Sequence, residues 1–417
     1  MLEILKKYNF WDGAEIPVGF TRQSYLDALT GYLGNRLIKV VLGQRRGGKS
    51  YIMRMLIRQL IAAGTPPQNI LYINREMSEL SAIATAADLI AAVNEWRKEL
   101  KVTGKAYIFI DEVQEIEGWE TVVNSLSQDY KRSYELFITG SNAHLLSGEL
   151  ATRLSGRYLT LEVFPFSYTE YCGFRELAKG RDSFVEYLQN GGIPELCHLD
   201  SPEIRRNYMA TLRDSIILRD IMARHQIRDP YLLDRVVAFA IDSVGGLFSV
   251  NSIVNYLKSN GLKTNSETVG SYLGYLKIAF FLHESERYDI KGKRILTGER
   301  KYYLNDTAFK HYLSSSFDNS VSRYLENVVY LTLRRRGYTV YTGVIGGKEI
   351  DFIAEKGAER LYVQATYLLS DEAVIAREFG NLEAIPDNHE KIVVSLDDLP
   401  LGNKEGIKHL RAWDFVE

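Results

Sequence analysis

Residues 43–50, Gly43-Gln44-Arg45-Arg46-Gly47-Gly48-Lys49-Ser50, follow a short apolar run (37–43) and precede a segment with apolar residues at helical spacing, Ile52, Met55, Leu56 and Leu60. Few octapeptides limit a fold so narrowly. Glycines let the backbone curl so that its N–H groups point inward at an anion. The helix behind the loop adds unsatisfied N-terminal donors and the positive end of its dipole. Such a loop works only between a buried parallel strand and a helix, so the chain must open with an α/β domain. The pattern GxxxxGK[ST] is complete. It predicts a site for ATP or ADP with Mg2+, in which Lys49 reaches the β- and γ-phosphates and the Ser50 hydroxyl ligates magnesium. Gly43, Gln44, Gly47 and Gly48 would supply the backbone cradle. Arg45, Arg46 and Tyr51 are further candidates by position.

Three downstream elements fit that reading. Tyr107-Ile108-Phe109-Ile110-Asp111-Glu112 is an apolar strand ending in two carboxylates, the Walker B arrangement. Asp111 would hold magnesium through its water shell, and Glu112 would act as general base on the attacking water. The strand ELFITG (135–140) ends in Ser141-Asn142. In additional-strand P-loop ATPases a polar residue at that place contacts the water or the γ-phosphate. Asn142 is the first choice there and Ser141 the second; a helix cap is an equally good use of Ser141. Arg153 and Arg157 are four apart and would share a helix face. They are candidate arginine fingers, acting in cis or from a second copy; a surface salt bridge is the competing use. Arg22, upstream of the first strand, is a candidate for the adenine pocket by position alone.

Strand-like runs at 37–43, 70–74, 107–111, 135–140 and 158–163 alternate with helical segments, which predicts a parallel sheet covered by helices. Pro165 closes this domain. Residues 166–202 read as an irregular helical segment broken by GGIP (191–194). Between 203 and 317 a helix (251–259), the turn NGLKTN, a second helix (266–282) and two strands joined at Lys291-Gly292-Lys293 give the pattern of a winged helix. From 318 to 417 a helix stopped by Gly337, three strand candidates, a further helix and the strand KIVVSL predict a second, smaller α/β domain.

At this point GQRRGGKS, YIFIDEVQEIEGWE, FITGSNAHLLSGELATRLSGRY and LEVFPFSYTEY together resemble a prokaryotic AAA-type ATPase family related to the STAND group. The resemblance covers nearly the whole chain. It implies a P-loop ATPase domain of the additional-strand type (1–165), a helical lid (166–202), a winged helix (203–317) and a restriction-endonuclease-like domain (318–417). It also implies the nucleotide roles of Lys49 and Ser50, the Walker B roles of Asp111 and Glu112, and a sensor near Asn142. The last domain resembles the PD-(D/E)xK nuclease fold, with Glu326 and Asp351 at two of its acidic positions. The third element reads Gln364-Ala365-Thr366. Gln364 is neutral and Thr366 lacks the lysine's charge, so the site is degenerate and nuclease activity is not expected.

Charge separates the segments. Residues 201–317 hold 17 Lys and Arg against 12 Asp and Glu, a net of +5; residues 318–417 hold 12 against 17, a net of −5. DNA affinity rests largely on phosphate neutralisation, so the acidic last domain argues against DNA cleavage there. The second helix of the winged segment offers Asn265, Glu267, Thr268, Ser271 and Tyr272 but no base before Lys277, which is poor for groove reading. The hairpin carries Arg287, Lys291, Lys293, Arg294, Arg300 and Lys301. It could lie on a phosphate backbone without sequence preference, or serve protein packing and self-association. Two cysteines, Cys172 and Cys197, with no histidine cluster beside them, predict neither a disulfide framework nor a zinc site. The absence of a long apolar run predicts no membrane span, and a cytoplasmic protein is expected. The reading as a whole is an ATPase whose nucleotide state is coupled to its C-terminal domains. The alternatives are a nucleotide-gated protein-binding switch and a DNA-stimulated ATPase in defence or repair.

Overall fold

The computed structural model describes residues 1–146, 154, 156–314 and 321–417. It divides into two compact units, Met1–Val163 and Phe164–Glu417.

The first unit is built on a five-stranded parallel sheet. Its strands are β1 (Ile38–Leu42), β2 (Ile70–Asn74), β3 (Ala106–Asp111), β4 (Tyr134–Gly140) and β5 (Tyr158–Glu162), in the order β2-β3-β4-β1-β5. The run β1 to β4 is buried at every position, as expected of strands covered by helices on both faces. Strand β4 lies between β1 and β3, the insertion that the sequence had suggested. The helix Lys49–Ala62 buries Ile52, Met53, Met55, Leu56, Ile57 and Leu60 against Phe109, Phe137 and Val41 of the sheet. One charge sits deep in this sheet. Lys39 of β1 is fully buried and bonds the Glu135 carboxylate on β4, which Lys105 also reaches at 2.8 Å.

The second unit combines a helical cluster with a nine-stranded mixed sheet. Helices Pro230–Asp242, Val250–Ser259 and Ser266–Ile278 pack Leu233, Val236, Val237, Ile253, Leu257, Leu273 and Leu276 into one core. The second helix of the winged segment ends at Ile278, four residues before the expected Leu282. Phe280 adopts a positive φ of 54° and the chain then enters a strand. The apolar run IAFFL has no polar residue to mark that boundary. In chain order the strands are β6 (Leu247–Phe248), β7 (Leu282–Asp289), β8 (Arg294–Leu304), β9 (Thr339–Ile345), β10 (Lys348–Lys356), β11 (Glu359–Ala365), β12 (Glu390–Ser395), β13 (Asn403–Lys404) and β14 (Ile407–Arg411). Their order is β13-β14-β12-β11-β10-β9-β7-β8-β6. The hairpin β7–β8 is thus continuous with the sheet of the last hundred residues, through parallel pairing of Arg287, Tyr288 and Asp289 with Thr342, Gly343 and Val344. The segments read from sequence as winged helix and terminal domain share one sheet.

Among the described residues no helix is long and apolar enough to cross a membrane. Cys172 and Cys197 are both free thiols.

Candidate nucleotide-binding site

In a parallel sheet the C-terminal strand ends share one edge, and loops there converge. The order β3-β4-β1 therefore brings together the ends that carry Asp111-Glu112, Ser141-Asn142 and Gly43–Ser50. Two glycines make the loop possible. Gly43 has φ +149°, and a Cβ there would lie 2.2 Å from the Val163 carbonyl oxygen. Gly48 has φ +94° and turns the chain into the helix that begins at Lys49. Lys49 is buried. Its Nζ donates to the carbonyls of Gly43 (2.9 Å) and Gln44 (3.2 Å) and lies 3.6 Å from Oε1 of Glu112.

The two adjacent carboxylates face different partners. Asp111 is fully buried and accepts from the hydroxyls of Tyr72 (2.7 Å), Thr139 and Ser50. Burial, followed by the neighbouring Glu112 charge, raises its pKa above the usual carboxylate value, and those three hydroxyls pull the other way. Glu112 sits in the left-handed region at φ 55°, and its N–H donates to Thr139 Oγ1 at 2.9 Å. Burial would push its carboxyl up. Lys49, Arg45, Gln114 and Ser141 outweigh burial and hold it below the usual range. Asp111 is placed for a cation beside Ser50, and Glu112 is a carboxylate kept ionised beside an ammonium.

The other sequence candidates fall out as follows. Ser141 and Asn142 are buried at the end of β4, and Ser141 bonds Glu112. Arg45 donates to Glu76 Oε1 at 2.7 Å. Arg46 is exposed at φ 66°. Tyr51 is 45% exposed; its ring lies over Gly19, and the Arg54 guanidinium stacks on it at 4.2 Å. Arg153 lies outside the described residues. Arg157 precedes β5, and its carbonyl accepts from the N–H of Ile38, the first residue of β1. That places it at the opposite edge of the sheet from Gly43, about 15 Å away along the strand. Within one chain this register keeps the Arg157 backbone away from the Gly43 loop.

Sequence reasoning missed Tyr72, Thr139 and Gln114 as site residues. Each sits in an otherwise ordinary apolar or polar pattern, and only strand pairing brings it to Asp111 or Glu112. Arg22 had only its position to recommend it. It is buried, its Nη1 donates to the Gly47 carbonyl at 3.1 Å, and its guanidinium lies 4.4 Å from the Tyr25 ring centroid.

A second polar site lies in the other unit. Glu326, Asp351, Gln364 and Thr366 do converge, lining a cavity of about 280 Å³ together with Lys301, Glu349 and Glu378. Gln364 is a tie. Its Oε1 accepts from Asp351 N–H (2.7 Å) and its Nε2 donates to Glu378 (2.8 Å). The basic hairpin is partly consumed internally. Arg287 pairs with Glu299, Arg300 with Glu284 and Glu286, and Lys301 is buried; Lys291, Lys293 and Arg294 are exposed at the turn.

Comparison with known proteins gives matches at three levels. Residues 35–172 match the AAA domain family, and residues 181–320 match a domain of unknown function, DUF8612. An uncharacterized protein of Haemophilus influenzae is 36% identical over 404 residues, covering 95% of this chain and 98% of that one. An uncharacterized protein of Methanocaldococcus jannaschii is 30% identical over 350 residues, 80% of this chain and 75% of that one. Among solved structures, a Walker-type ATPase of Pyrococcus abyssi aligns over 70% of this chain and 95% of its own, with a TM-score of 0.47 and 16% identity.

Proposed function

The chain belongs to the AAA-domain P-loop ATPase family, with its Haemophilus and Methanocaldococcus relatives, and from that premise we propose that it hydrolyses ATP in a magnesium-dependent reaction at the Gly43–Ser50 loop. The observation that carries the reading is the division of labour between Asp111, which faces the Ser50 hydroxyl, and Glu112, which faces Lys49. The donor set suits the group it would hold: a hard divalent cation takes oxygen ligands, and a buried carboxylate beside a hydroxyl offers them. Ser50 and Asp111 would hold the magnesium, which when bound would offset phosphate charge.

The chain's own residues do the rest. The loop N–H groups and the start of the helix hold phosphate oxygens. Lys49 places its ammonium against the β- and γ-phosphates. Glu112, ionised at neutral pH, accepts a proton from the attacking water as the water oxygen bonds phosphorus and the bond to the ADP oxygen breaks. Asn142 orients the water or the γ-phosphate, and Arg22 keeps Gly47 in place. Arg153 or Arg157 of a second copy would supply the finger, which implies a homo-oligomer.

We further propose that turnover drives a rearrangement of residues 164–417, in which the lid, winged-helix segment and degenerate PD-(D/E)xK-like segment respond together. Shared strand pairing between β7 and β9 supports treating the hairpin and the last hundred residues as one moving part. With half of the hairpin cations in internal ion pairs, a protein partner fits better than DNA. Contact with a phosphate backbone would fall to Lys291, Lys293 and Arg294.

Steady-state hydrolysis by wild type, Lys49→Ala and Glu112→Gln, with and without duplex and single-stranded DNA, tests the scheme. Lys49→Ala should lose nucleotide binding. Glu112→Gln should bind ATP as wild type does while turnover falls by about 10²-fold or more. Wild-type turnover in Glu112→Gln would sink the proposed base. A rise in rate with DNA that fades steeply with salt would favour the DNA-coupled reading.

A further inference from the structure

Strand β2 is an edge of the first unit's sheet. Its outer side is met by the segment around Asn9. The Asn9 side-chain amide bonds Tyr72 at both backbone groups: Oδ1 accepts from its N–H at 2.6 Å, and Nδ2 donates to its carbonyl at 2.9 Å. Trp11 Nε1 donates to the Ile70 carbonyl of the same strand at 2.8 Å. Asn9, Trp11 and Tyr72 are all buried. The Tyr72 ring belongs to the apolar core beneath the helix Lys49–Ala62. Its hydroxyl leaves that core and donates to Asp111 Oδ2 at 2.7 Å.

Register explains that reach. Tyr72 lies across from Phe109, and Asn74 lies across from Asp111. Two residues of strand, about 6.6 Å, separate Tyr72 from the level of Asp111, and a phenol is long enough to span them. Asn74, directly opposite, is engaged elsewhere. Its Oδ1 accepts from the Glu76 N–H at 2.9 Å, and its Nδ2 donates to the Tyr72 oxygen at 3.4 Å. An amide N–H can only donate, so the proton of the phenol is the one directed at Asp111. Thr139 donates to the other carboxylate oxygen, Oδ1. With a different donor on each oxygen, turning the carboxyl group away from this orientation breaks both bonds. A phenylalanine would fill the same apolar space. What the hydroxyl adds is a fixed direction for the carboxylate that faces Ser50.

Building on the magnesium-dependent reading of the P-loop site, on which this inference rests, we propose that Tyr72 is a positioning residue for the cation side of that site. Its hydroxyl holds the Asp111 carboxylate toward Ser50 in readiness for magnesium, and Asn9 holds Tyr72 in place from the sheet edge. The segment around Asn9 thereby supports a site to which it contributes no ligand. Tyr72 is not a ligand either and moves no proton; its effect is carried by Asp111. Removing the hydroxyl therefore weakens what magnesium adds to nucleotide affinity. The affinity of the phosphate loop for nucleotide without the ion stays as it is.

The test is calorimetric titration of ADP into full-length protein, once in saturating magnesium and once in EDTA. Wild type, Tyr72→Phe, Asn9→Ala, Asp111→Asn and Asp111→Asn with Tyr72→Phe are compared. The readout is the factor by which magnesium tightens ADP, which involves no turnover. In Tyr72→Phe that factor should fall about tenfold, the size expected of one hydrogen bond to a charged group, while affinity in EDTA stays within about twofold of wild type. Asn9→Ala should lower it in the same direction by less. In Asp111→Asn, adding Tyr72→Phe should change it no further. A wild-type factor in either single variant, Tyr72→Phe or Asn9→Ala, overturns the proposal. So does an equal loss of affinity with and without magnesium in Tyr72→Phe, which is what a merely structural tyrosine would give. A further loss on adding Tyr72→Phe to Asp111→Asn overturns it as well, because the hydroxyl would then act by a route other than Asp111. If Tyr72→Phe does not fold, Asn9→Ala decides alone: a reduced factor supports the proposal and a wild-type factor overturns it. A wild type that binds ADP equally in magnesium and EDTA sinks the magnesium reading and this proposal together. A wild type that responds to magnesium beside a Tyr72→Phe that responds equally removes this proposal only.

Discussion

Thr139 shows how much one hydroxyl can organise. It donates to Asp111 and accepts from the N–H of Glu112, so it holds two consecutive acidic residues in place at once. Nothing in ELFITG marks it for that task; its role follows from the pairing of β3 with β4, which sets the two residues side by side. Thr139→Val keeps the shape and removes both bonds. The variant leaves a buried N–H without its acceptor and a buried carboxylate with one donor fewer, at a cost of about 1–3 kcal/mol. A lower denaturation midpoint with retained fold is expected in a denaturant titration, together with slower ATP turnover. A midpoint equal to wild type would show that the hydroxyl supports neither carboxylate. Gly43 illustrates the opposite kind of constraint. The space for its Cβ is already filled by the Val163 carbonyl, so this position is dictated by what β5 leads into as well as by the phosphate it would cradle.

Helix ends carry the next level of order. The helix Tyr168–Arg175 begins with a reciprocal cap: Ser167 accepts from the Glu170 N–H, and the Glu170 carboxylate accepts from the Ser167 N–H at 2.8 Å. The run FSYTEY contains that signature in sequence, although the segment as a whole reads as irregular. Ser167→Ala should cost about 1 kcal/mol of stability, and an unchanged melting temperature would mean that the helix start is held by packing of Tyr168, Tyr171 and Cys172 alone. The strand–loop–helix at 38–62 is the contrasting case. There the apolar run, the glycines and the helical spacing agree, and the structure follows them closely.

At the scale of the whole chain, Asp306 ties distant parts of the second unit together. Its Oδ2 accepts from Gly192 N–H at 2.7 Å and its Oδ1 from Ala308 N–H at 2.8 Å, joining the GGIP turn to the segment after β8. Burial pushes its carboxyl up to about 6, against the opposing pull of those amides, of Ile193 and of Arg335. The unfolded chain titrates near 3.9, so the folded form holds the proton more tightly. The stability contributed by protonation is complete below about pH 4 and is lost as pH rises through about 6. Relative to Asp306→Asn, which does not titrate, the wild type should lose up to about 3 kcal/mol between pH 4 and pH 7. Denaturant midpoints of the two proteins across that range test it; a difference independent of pH would mean that Asp306 keeps one ionisation state throughout.

Local chemistry is what the sequence by itself determined: the phosphate loop, the strand ending in Asp111-Glu112, the alternation that makes a parallel sheet, and the turn and cap residues. Each depends on residues near one another in the chain, where spacing and propensity speak directly. Tertiary structure decided what rests on pairing between distant segments. It put Tyr72 and Thr139 against Asp111, and Arg22 against Gly47. It set Arg157 at the far edge of the sheet. It also joined the hairpin to the terminal sheet and so carried Lys301 into the carboxylates of Glu326, Glu349 and Asp351. The positive charge at those carboxylates arrives from another strand, and strand register is set by the packing of the whole sheet.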